Sequence, residues 1–173
     1  MAYRPTREPP RILIADDQAH VREALELLLK NEGFVSEAVS SPAAIVEAVK
    51  ARHFDVLLLD MNYARDTTSG HEGLDLLTQI RELDSSLPVV MMTAWGSIEL
   101  AVEAMQNGGQ DFVQKPWDND KLLALLRRHV EQGRSLRGQI RQRKREMEEA
   151  HDIQQRLLPA ELPQLSGCDL YAF

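Results

Sequence analysis

The chain lacks features that several protein classes require. Cys168 is the only cysteine among 173 residues, so an internal disulfide framework is excluded and a reducing compartment is expected. No apolar run approaches the roughly 18 residues of a membrane span. Residues 1–10 are polar and proline-rich, without the apolar core of a secretory signal. We therefore expect a soluble, cytoplasmic protein with a disordered leader over residues 1–10.

The charge is divided unevenly along the chain, which carries a formal net charge of -7. Residues 1–119 contain ten basic and nineteen acidic side chains, whereas residues 120–157 contain ten basic and six acidic ones. Binding to phosphate backbones depends largely on lysine and arginine. The acidic first part is therefore not expected to bind nucleic acid directly, and the sequence has no helix-turn-helix or zinc spacing.

Short apolar runs alternate with amphipathic segments over the first part of the chain. The apolar runs predict five strands, near residues 11–15, 34–38, 54–59, 88–92 and 110–114. Helical spacing predicts intervening helices near residues 19–31, 42–51, 73–83 and 97–107. Continuous apolar strands such as VLLL are typical of a sheet covered on both faces. With right-handed crossovers, this alternation predicts an α/β fold with a five-stranded, doubly wound parallel sheet.

Polar residues follow four of these strands. Asp16 and Asp17 follow RILIA, Asp60 follows FDVLLL, Thr93 follows PVVMM, and Lys115 follows QDFVQ. Because the carboxyl ends of parallel strands share one edge of the sheet, these side chains are expected to face one crevice. Three carboxylates, a hydroxyl and an ammonium group suit a magnesium ion together with a phosphoryl group on an aspartate.

Each of these residues also has a purely structural interpretation. An aspartate pair commonly caps the following helix, Thr93 fits a turn hydroxyl, and Lys115 before Pro116 fits a solvated lysine. Asp60 is harder to explain in this way, because a charge that closes an apolar run is costly unless a cation lies beside it. The placement of all four features at strand ends favours the phosphate-handling interpretation.

The segments ILIADDQAHVREAL and MMTAWGSIELAVEAMQNGGQDFVQKPW resemble the receiver domains of two-component response regulators, and the resemblance covers residues 11–132. It implies a flavodoxin-like sheet with strand order 2-1-3-4-5. It also implies Asp60 as the phosphoacceptor and a Mg²⁺ ion bound by Asp16, Asp60 and the backbone carbonyl of Asn62, with Asp17 acting through water.

The same resemblance implies a switch and a partner. Lys115 is the phosphate-binding lysine and Thr93 the switch hydroxyl, whose movement toward the phosphate lets Phe112 turn inward; a plain core position is the alternative for Phe112. The expected phosphoryl donor is a histidine kinase or a histidine phosphotransfer protein. In one departure from the common pattern, the loop over residues 62–72 is about five residues longer.

A phosphotransfer enzyme of the haloacid-dehalogenase type is a competing interpretation. It requires an Asp-x-Asp motif after the first strand, and the sequence DDQ at residues 16–18 does not supply one. We therefore expect a phosphoacceptor protein that is not itself an enzyme.

A proline-free stretch of about 40 residues begins after Asp118 and predicts one long helix. Positions alternating by four and three form an imperfect heptad seam: 122, 126, 129, 133, 136, 140, 143, 147, 150, 154 and 157. The pattern predicts a homodimer through residues 122–157, with residues 133–157 as a coiled-coil linker; a single solvated helix is the alternative. Its basic cluster at 141–145 is followed at once by acidic residues, so a zipper-like DNA-binding region is not favoured.

Residues 158–173 resemble the entry into the sporulation-type metal-dependent (PPM) serine/threonine phosphatase domain. The resemblance depends on the sequence QQRLLP at residues 154–159. An ordinary proline-bounded tail is the alternative. The chain stops before the acidic metal-binding residues of such a domain, so no phosphatase activity is expected in it. We predict a receiver that signals through a coiled coil to a phosphatase-type output outside this chain. The alternatives are the receiver of an enhancer-binding transcriptional activator and an adaptor with a degenerate output.

Overall fold

A computed structural model describes residues 8–61, 71–93, 102, 105–106 and 108–157. The strands in this part of the chain are β1 (Arg11–Ala15), β2 (Val35–Val39), β3 (Val56–Asp60), β4 (Val89–Thr93) and β5 (Asp111–Gln114). The helices are α1 (Ala19–Asn31), α2 (Pro42–Ala51), α3 (His71–Leu83) and α4 (Asn119–Leu157). The helix predicted near residues 97–107 lies almost entirely outside the described residues.

The five strands form one parallel sheet in the order β2-β1-β3-β4-β5. The predicted doubly wound fold and its strand order are confirmed. β3 occupies the centre, and every residue of it is buried. Ala15 pairs with Leu59, Asp60 pairs with Met92, and Thr93 pairs with Gln114. The carboxyl ends of these strands therefore lie side by side along one edge.

Alternate residues of each central strand face opposite sides of the sheet. Leu57 and Leu59 belong to one hydrophobic cluster, and Val56 and Leu58 belong to the other. The first cluster takes its helical residues from α2 and α3: Ile45, Ala48, Leu76, Leu77 and Ile80. The second takes them from α1 and α4: Leu25, Leu29, Leu122, Leu123, Leu126 and Val130. Apolar strands with two buried faces are what two helical layers require.

The helix ends follow local sequence signals. The Ser41 hydroxyl caps α2 by accepting the backbone N–H of Ala44 at 3.2 Å, and Pro42 fills the first helical position. After α1, Gly33 adopts a φ of +80°, a left-handed conformation that suits glycine and turns the chain into β2. The bounds of α1 and α2 agree with the predicted ranges, and α3 begins two residues earlier than predicted.

The long helix α4 changes the interpretation of the heptad seam. Leu122, Leu126 and His129 occupy the first three seam positions, and all three are buried in the domain, with at most 4% of each residue exposed. The prediction that a dimer seam begins at residue 122 is wrong, because the apolar residues that repeat at helical spacing there pack into the core of the domain. Ile140 and Met147, further along the seam, are 51% and 70% exposed.

Residues up to Leu136 form one compact unit, and the chain from Arg137 onward forms a second. The second unit is described as far as Leu157 and consists of the remainder of α4. In the part of the chain that the structure describes, no helix is both long and apolar enough to cross a membrane.

Two leucines on α1 test the burial pattern. Leu25 is fully buried and Leu27 is 62% exposed. We expect Leu25→Ala to lower the free energy of unfolding by about 2 to 5 kcal/mol, since it leaves a cavity in the core. The control Leu27→Ala, on the same helix, should change it by less than about 0.5 kcal/mol. Urea unfolding followed by circular dichroism measures both, and equal losses would contradict the packing described here.

Candidate functional site

The polar residues singled out from the sequence lie along the carboxyl edge of the sheet. Asp16 and Asp17 follow β1, Asp60 is the last residue of β3, Thr93 is the last residue of β4, and Lys115 follows β5. The strands bring residues separated by as many as 99 positions into contact. Asp16, Asp60 and Thr93 are all buried.

Lys115 joins two of the carboxylates. Its Nζ lies 2.6 Å from Oδ2 of Asp16 and 2.9 Å from Oδ2 of Asp60. Both aspartate side chains are fully buried, and the lysine side chain is 16% exposed. This geometry does not fit the interpretation of Lys115 as an ordinary solvated lysine. The cation offsets charge that the end of β3 otherwise leaves uncompensated.

The protonation of Lys115 follows from two opposing effects. Burial alone lowers the pKa of the ammonium group, but hydrogen bonds and Coulomb attraction to Asp16 and Asp60 outweigh it and raise the pKa. Lys115 is therefore charged at neutral pH. Its position leaves a permanent positive charge beside the aspartate that ends the central strand.

The three carboxylates form a cluster that one lysine does not neutralise. Asp16, Asp17 and Asp60 each offer an oxygen, and these oxygens lie within 4.8 Å of one another. Like charges at this separation repel, so a further cation is favoured. Carboxylate oxygens are the ligands that Mg²⁺ prefers. The described residues thus fit a magnesium site, and the fourth predicted ligand, Asn62, lies outside the described residues.

Asp16 lies outside the cap position of α1. That position is occupied by Gln18, whose side chain makes no capping hydrogen bond. The carboxylate of Asp16 instead accepts the backbone N–H of Gln18 at 2.8 Å, in the loop before the helix. Arg22 donates from Nη1 to the backbone carbonyl of Asp16 at 2.7 Å. Arg22 was not among the site residues predicted from the sequence; its place one turn into the helix after the aspartate pair was the available signal.

The two predicted switch residues occupy different environments. Thr93 is buried, and its backbone carbonyl accepts the N–H of Lys115 at 2.7 Å, which links the ends of β4 and β5. Phe112 is 48% exposed on β5, whereas its neighbour Val113 packs against the core. The alternative that Phe112 is a plain core residue does not agree with this exposure. Its role as a switch stays a prediction.

The family model for the response regulator receiver domain matches residues 12–127. The chain belongs to this family. The match begins in β1 and ends within α4, and it includes both aspartates of the pair, Asp60, Thr93 and Lys115. The receiver resemblance that the sequence motifs predicted is confirmed for this part of the chain.

Curated relatives and a solved structure agree with this membership. The chain is 34% identical over 119 residues to the DNA-binding transcriptional regulator NtrC of Escherichia coli K12, a match covering 69% of this chain and 24% of NtrC. It is 31% identical over 121 residues to the transcriptional regulatory protein FixJ of Bradyrhizobium diazoefficiens, covering 70% of this chain and 57% of FixJ. The matched part therefore spans only a fraction of either relative.

The receiver domain of a two-component response regulator from Bacteroides fragilis has a similar structure. Its sequence identity with this chain is 39% and the TM-score is 0.64, with 70% of this chain and 97% of that domain covered. The receiver of this protein is thus similar to a complete receiver domain in both sequence and backbone.

Removal of the lysine tests the charge balance of the site. We expect Lys115→Met to lower the free energy of unfolding in EDTA by about 3 kcal/mol, since it leaves two buried carboxylates without their cation. The pKa of Lys115 is raised, so its contribution to the free energy of unfolding is fully present below pH 10.5, the ordinary pKa of lysine. That contribution is lost only as the pH rises above this value. Urea unfolding at neutral pH measures the loss.

The control is Lys121→Met, which changes an exposed lysine in the first turn of α4. It should alter stability by less than about 0.5 kcal/mol. Added magnesium chloride should recover part of the deficit of Lys115→Met, because a second cation then offsets the same carboxylates. If both variants were equally stable in EDTA, the ion pairs of Lys115 would not be energetically important.

Proposed function

We propose that this protein is a phosphorylation-dependent receiver that accepts a phosphoryl group on Asp60 and is not itself an enzyme. The observation that supports this most directly is the contact of Lys115 with both Asp16 and Asp60 at the carboxyl edge of the sheet. A buried carboxylate that lies beside a fixed cation and clusters with two further carboxylates able to bind a metal ion is equipped to take up a phosphoryl group.

The position of Asp60 distinguishes it from the other two aspartates. β3 lies between β1 and β4, so Asp60 is flanked by the aspartate pair on one side and by Thr93 on the other. Lys115 reaches Asp60 from the end of β5, beyond β4. Asp60 is thus the one carboxylate with polar groups of the site on both sides.

The reaction is a transfer between two nucleophiles. A carboxylate oxygen of Asp60 forms a bond to phosphorus as the phosphorus–nitrogen bond of a phosphohistidine breaks, and the leaving imidazole takes up a proton. The ammonium group of Lys115 offsets the negative charge that spreads over the phosphoryl oxygens. A Mg²⁺ ion would be held by Asp16, Asp17 and Asp60, and it would supply the further positive charge that a phosphoryl group requires among carboxylates.

The conformational response is assigned to Thr93 and Phe112. A modification changes an equilibrium only if it contacts two states differently. The Thr93 hydroxyl at the end of β4 is suited to bond a phosphoryl oxygen on Asp60. Movement of Thr93 toward that oxygen would vacate space into which the exposed ring of Phe112 turns. To shift a population from 1:99 to 99:1 requires about 5.5 kcal/mol, an amount within reach of a few charge-assisted hydrogen bonds.

The phosphoryl donor is a histidine kinase or a histidine phosphotransfer protein, and cytoplasmic location follows from that partnership. We do not expect this chain to bind nucleic acid directly, since residues 1–119 carry an excess of acidic side chains. The similarity to the DNA-binding regulator NtrC covers only 24% of the length of NtrC, so its name alone does not indicate DNA binding by this chain.

For the output we infer a transcriptional regulator in preference to the phosphatase-type domain that residues 158–173 suggested. NtrC and FixJ are both named as transcriptional regulators, whereas residues 158–173, which carry the phosphatase resemblance, lie outside the described residues and the family match. In a longer protein that contains this chain, an ATPase domain would carry a glycine-rich phosphate loop and a phosphatase domain would not.

The second unit is proposed to pair with a second copy of this chain. Ile140 and Met147 lie seven residues apart on the predicted seam, and both are exposed in the single chain. A heptad spacing of apolar residues is what a two-stranded coiled coil buries. The homodimer proposed here uses residues 137–157 and not the buried positions from 122.

Asp60→Asn tests the phosphoacceptor. Incubation with acetyl phosphate and magnesium should add one phosphoryl group to the wild-type protein, and the intact mass measures it. The variant should gain none, because a carboxamide does not form an acyl phosphate under these conditions. Asp75→Asn, at an exposed position of α3, should be phosphorylated as the wild type is. Phosphorylation of Asp60→Asn at the wild-type extent would refute the assignment.

Ile140→Asp tests the dimer. Sedimentation velocity with beryllofluoride and magnesium should show a dimer for the wild type and a monomer for this variant, since a charge in the seam opposes pairing. Ile153→Asp makes the same change at an exposed residue outside the seam and should remain dimeric. A wild type that stays monomeric with and without beryllofluoride would support the single solvated helix instead.

A further inference from the structure

A second, partly buried ion pair lies at the amino edge of the sheet, at the opposite end of the strands from Lys115. Arg134 of α4 contacts Asp55, the residue directly before β3. Its Nε lies 2.9 Å from Oδ1 of Asp55, and its Nη2 lies 2.9 Å from Oδ2. Nη2 also donates to the backbone carbonyl of Glu8 at 3.0 Å. The Asp55 carboxylate accepts the backbone N–H of Arg11 at 2.9 Å.

The geometry separates this pair from an ordinary surface salt bridge. The side chain of Asp55 is 6% exposed and that of Arg134 is 24% exposed. Two parallel hydrogen bonds between a guanidinium and a carboxylate fix direction as well as distance. The hydrogen bond to Asp55 is the main cause of the raised pKa of Arg134. Exposed ion pairs contribute little to stability, but breaking a buried one is costly.

The residue before Arg134 brings the helix backbone close to the same edge. A Cβ added at Gly133 would lie 3.0 Å from Cγ of Pro88, 3.3 Å from its Cδ and 3.6 Å from the backbone oxygen of Asp55. Glycine inside a helix is ordinarily unfavourable relative to alanine. Here its lack of a side chain allows α4 to approach the residues that precede β3 and β4. Gly138, five residues further on, has no atom within 4 Å of such a Cβ.

The ion pair of Arg134 and the close approach of Gly133 both lie at the start of β3, the strand that ends at Asp60. Asp55 precedes β3 and Asp60 ends it, so one fully buried strand joins the ion pair with Arg134 to the phosphorylation site. The two aspartates are separated by about 17 Å at 3.3 Å per residue. Beyond Leu136 the chain continues as the helix of the second unit.

We propose that Gly133 and Arg134 form a latch that fixes α4 to the amino edge of the sheet, and that this latch is required for the state of Asp60 to reach the helix beyond it. Transmission of the state of Asp60 through the latch rests on the proposed function, whereas the attachment of α4 by Gly133 and Arg134 does not. A helix conveys a change in a domain only if its base is held to that domain. Gly133 allows α4 to approach the sheet closely, and the two hydrogen bonds of the Arg134 guanidinium to Asp55 fix the orientation of this contact.

The paired variants Gly133→Ala and Gly138→Ala test the latch without phosphorylation. Gly138→Ala should raise the urea midpoint, because alanine favours the helix and the site is open. Gly133→Ala should give a lower midpoint than Gly138→Ala, since the new methyl group would lie 3.0 Å from the Pro88 ring. The same substitution then has different effects at two positions of one helix. An equal rise in the midpoint for both would overturn the close approach at Gly133.

Arg134→Gln tests the ion pair, and Arg141→Gln on the exposed part of α4 is its control. Hydrogen exchange of the backbone amides of residues 128–136 should become faster in Arg134→Gln and stay unchanged in Arg141→Gln. Arg134→Lys keeps the charge but loses the two-point contact. It should show an intermediate effect, and it serves as the test if the glutamine variant does not fold. Unchanged exchange in both Arg134 variants would overturn the latch.

Transmission from Asp60 to residues 137–157 is tested separately, on protein treated with acetyl phosphate and magnesium. Wild type and Arg134→Gln should gain the same amount of phosphate, since Arg134 lies at the other edge from Asp60. Phosphorylation should alter hydrogen exchange within residues 137–157 of the wild type and not of the variant. A full response in a phosphorylated variant would overturn the coupling. Failure of the wild type to be phosphorylated would instead refute the proposed function.

Discussion

The repulsion among three carboxylates, held in check by one lysine, is the constraint on which the rest of the structure depends. Asp16 and Asp60 are fully buried, and both contact the ammonium group of Lys115. Removing such charges from water is favourable only when a partner compensates them. The site therefore holds one cation of its own and favours a second. We expect a pocket with this balance to respond strongly to a phosphoryl group on Asp60, because that group brings further negative charge to the carboxyl edge of the sheet.

The parallel sheet separates this chemistry from the attachment of the long helix. All strands end at the carboxyl edge, where the aspartates and Lys115 meet, and begin at the amino edge, where Arg134 binds Asp55. β3 passes through the core between the two edges, with one face packed against α2 and α3 and the other against α1 and α4. Because such cores are close-packed, a change at one end of a buried strand is not easily absorbed by its surroundings.

The fold and most of the site were predictable because they depend on local patterns. Apolar runs marked the strands, and the rule that parallel strands share a carboxyl edge brought Asp60 and Lys115 together from the sequence alone. The heptad seam was misjudged at its start, since the same spacing at Leu122 and Leu126 describes a helix that packs on its own domain. The Asp55–Arg134 pair joins residues 79 positions apart, and no local pattern indicates such a partner.

The formation of an acyl phosphate on Asp60 can be measured directly. Borohydride reduces an acyl phosphate to the alcohol, so treatment of the phosphorylated protein followed by peptide mass mapping locates the modified residue. We predict conversion of residue 60 to homoserine, with Asp16 and Asp17 unchanged and no conversion before phosphorylation. Conversion at another aspartate, or none in folded protein treated with acetyl phosphate and magnesium, would contradict the assignment of Asp60 as the phosphoacceptor.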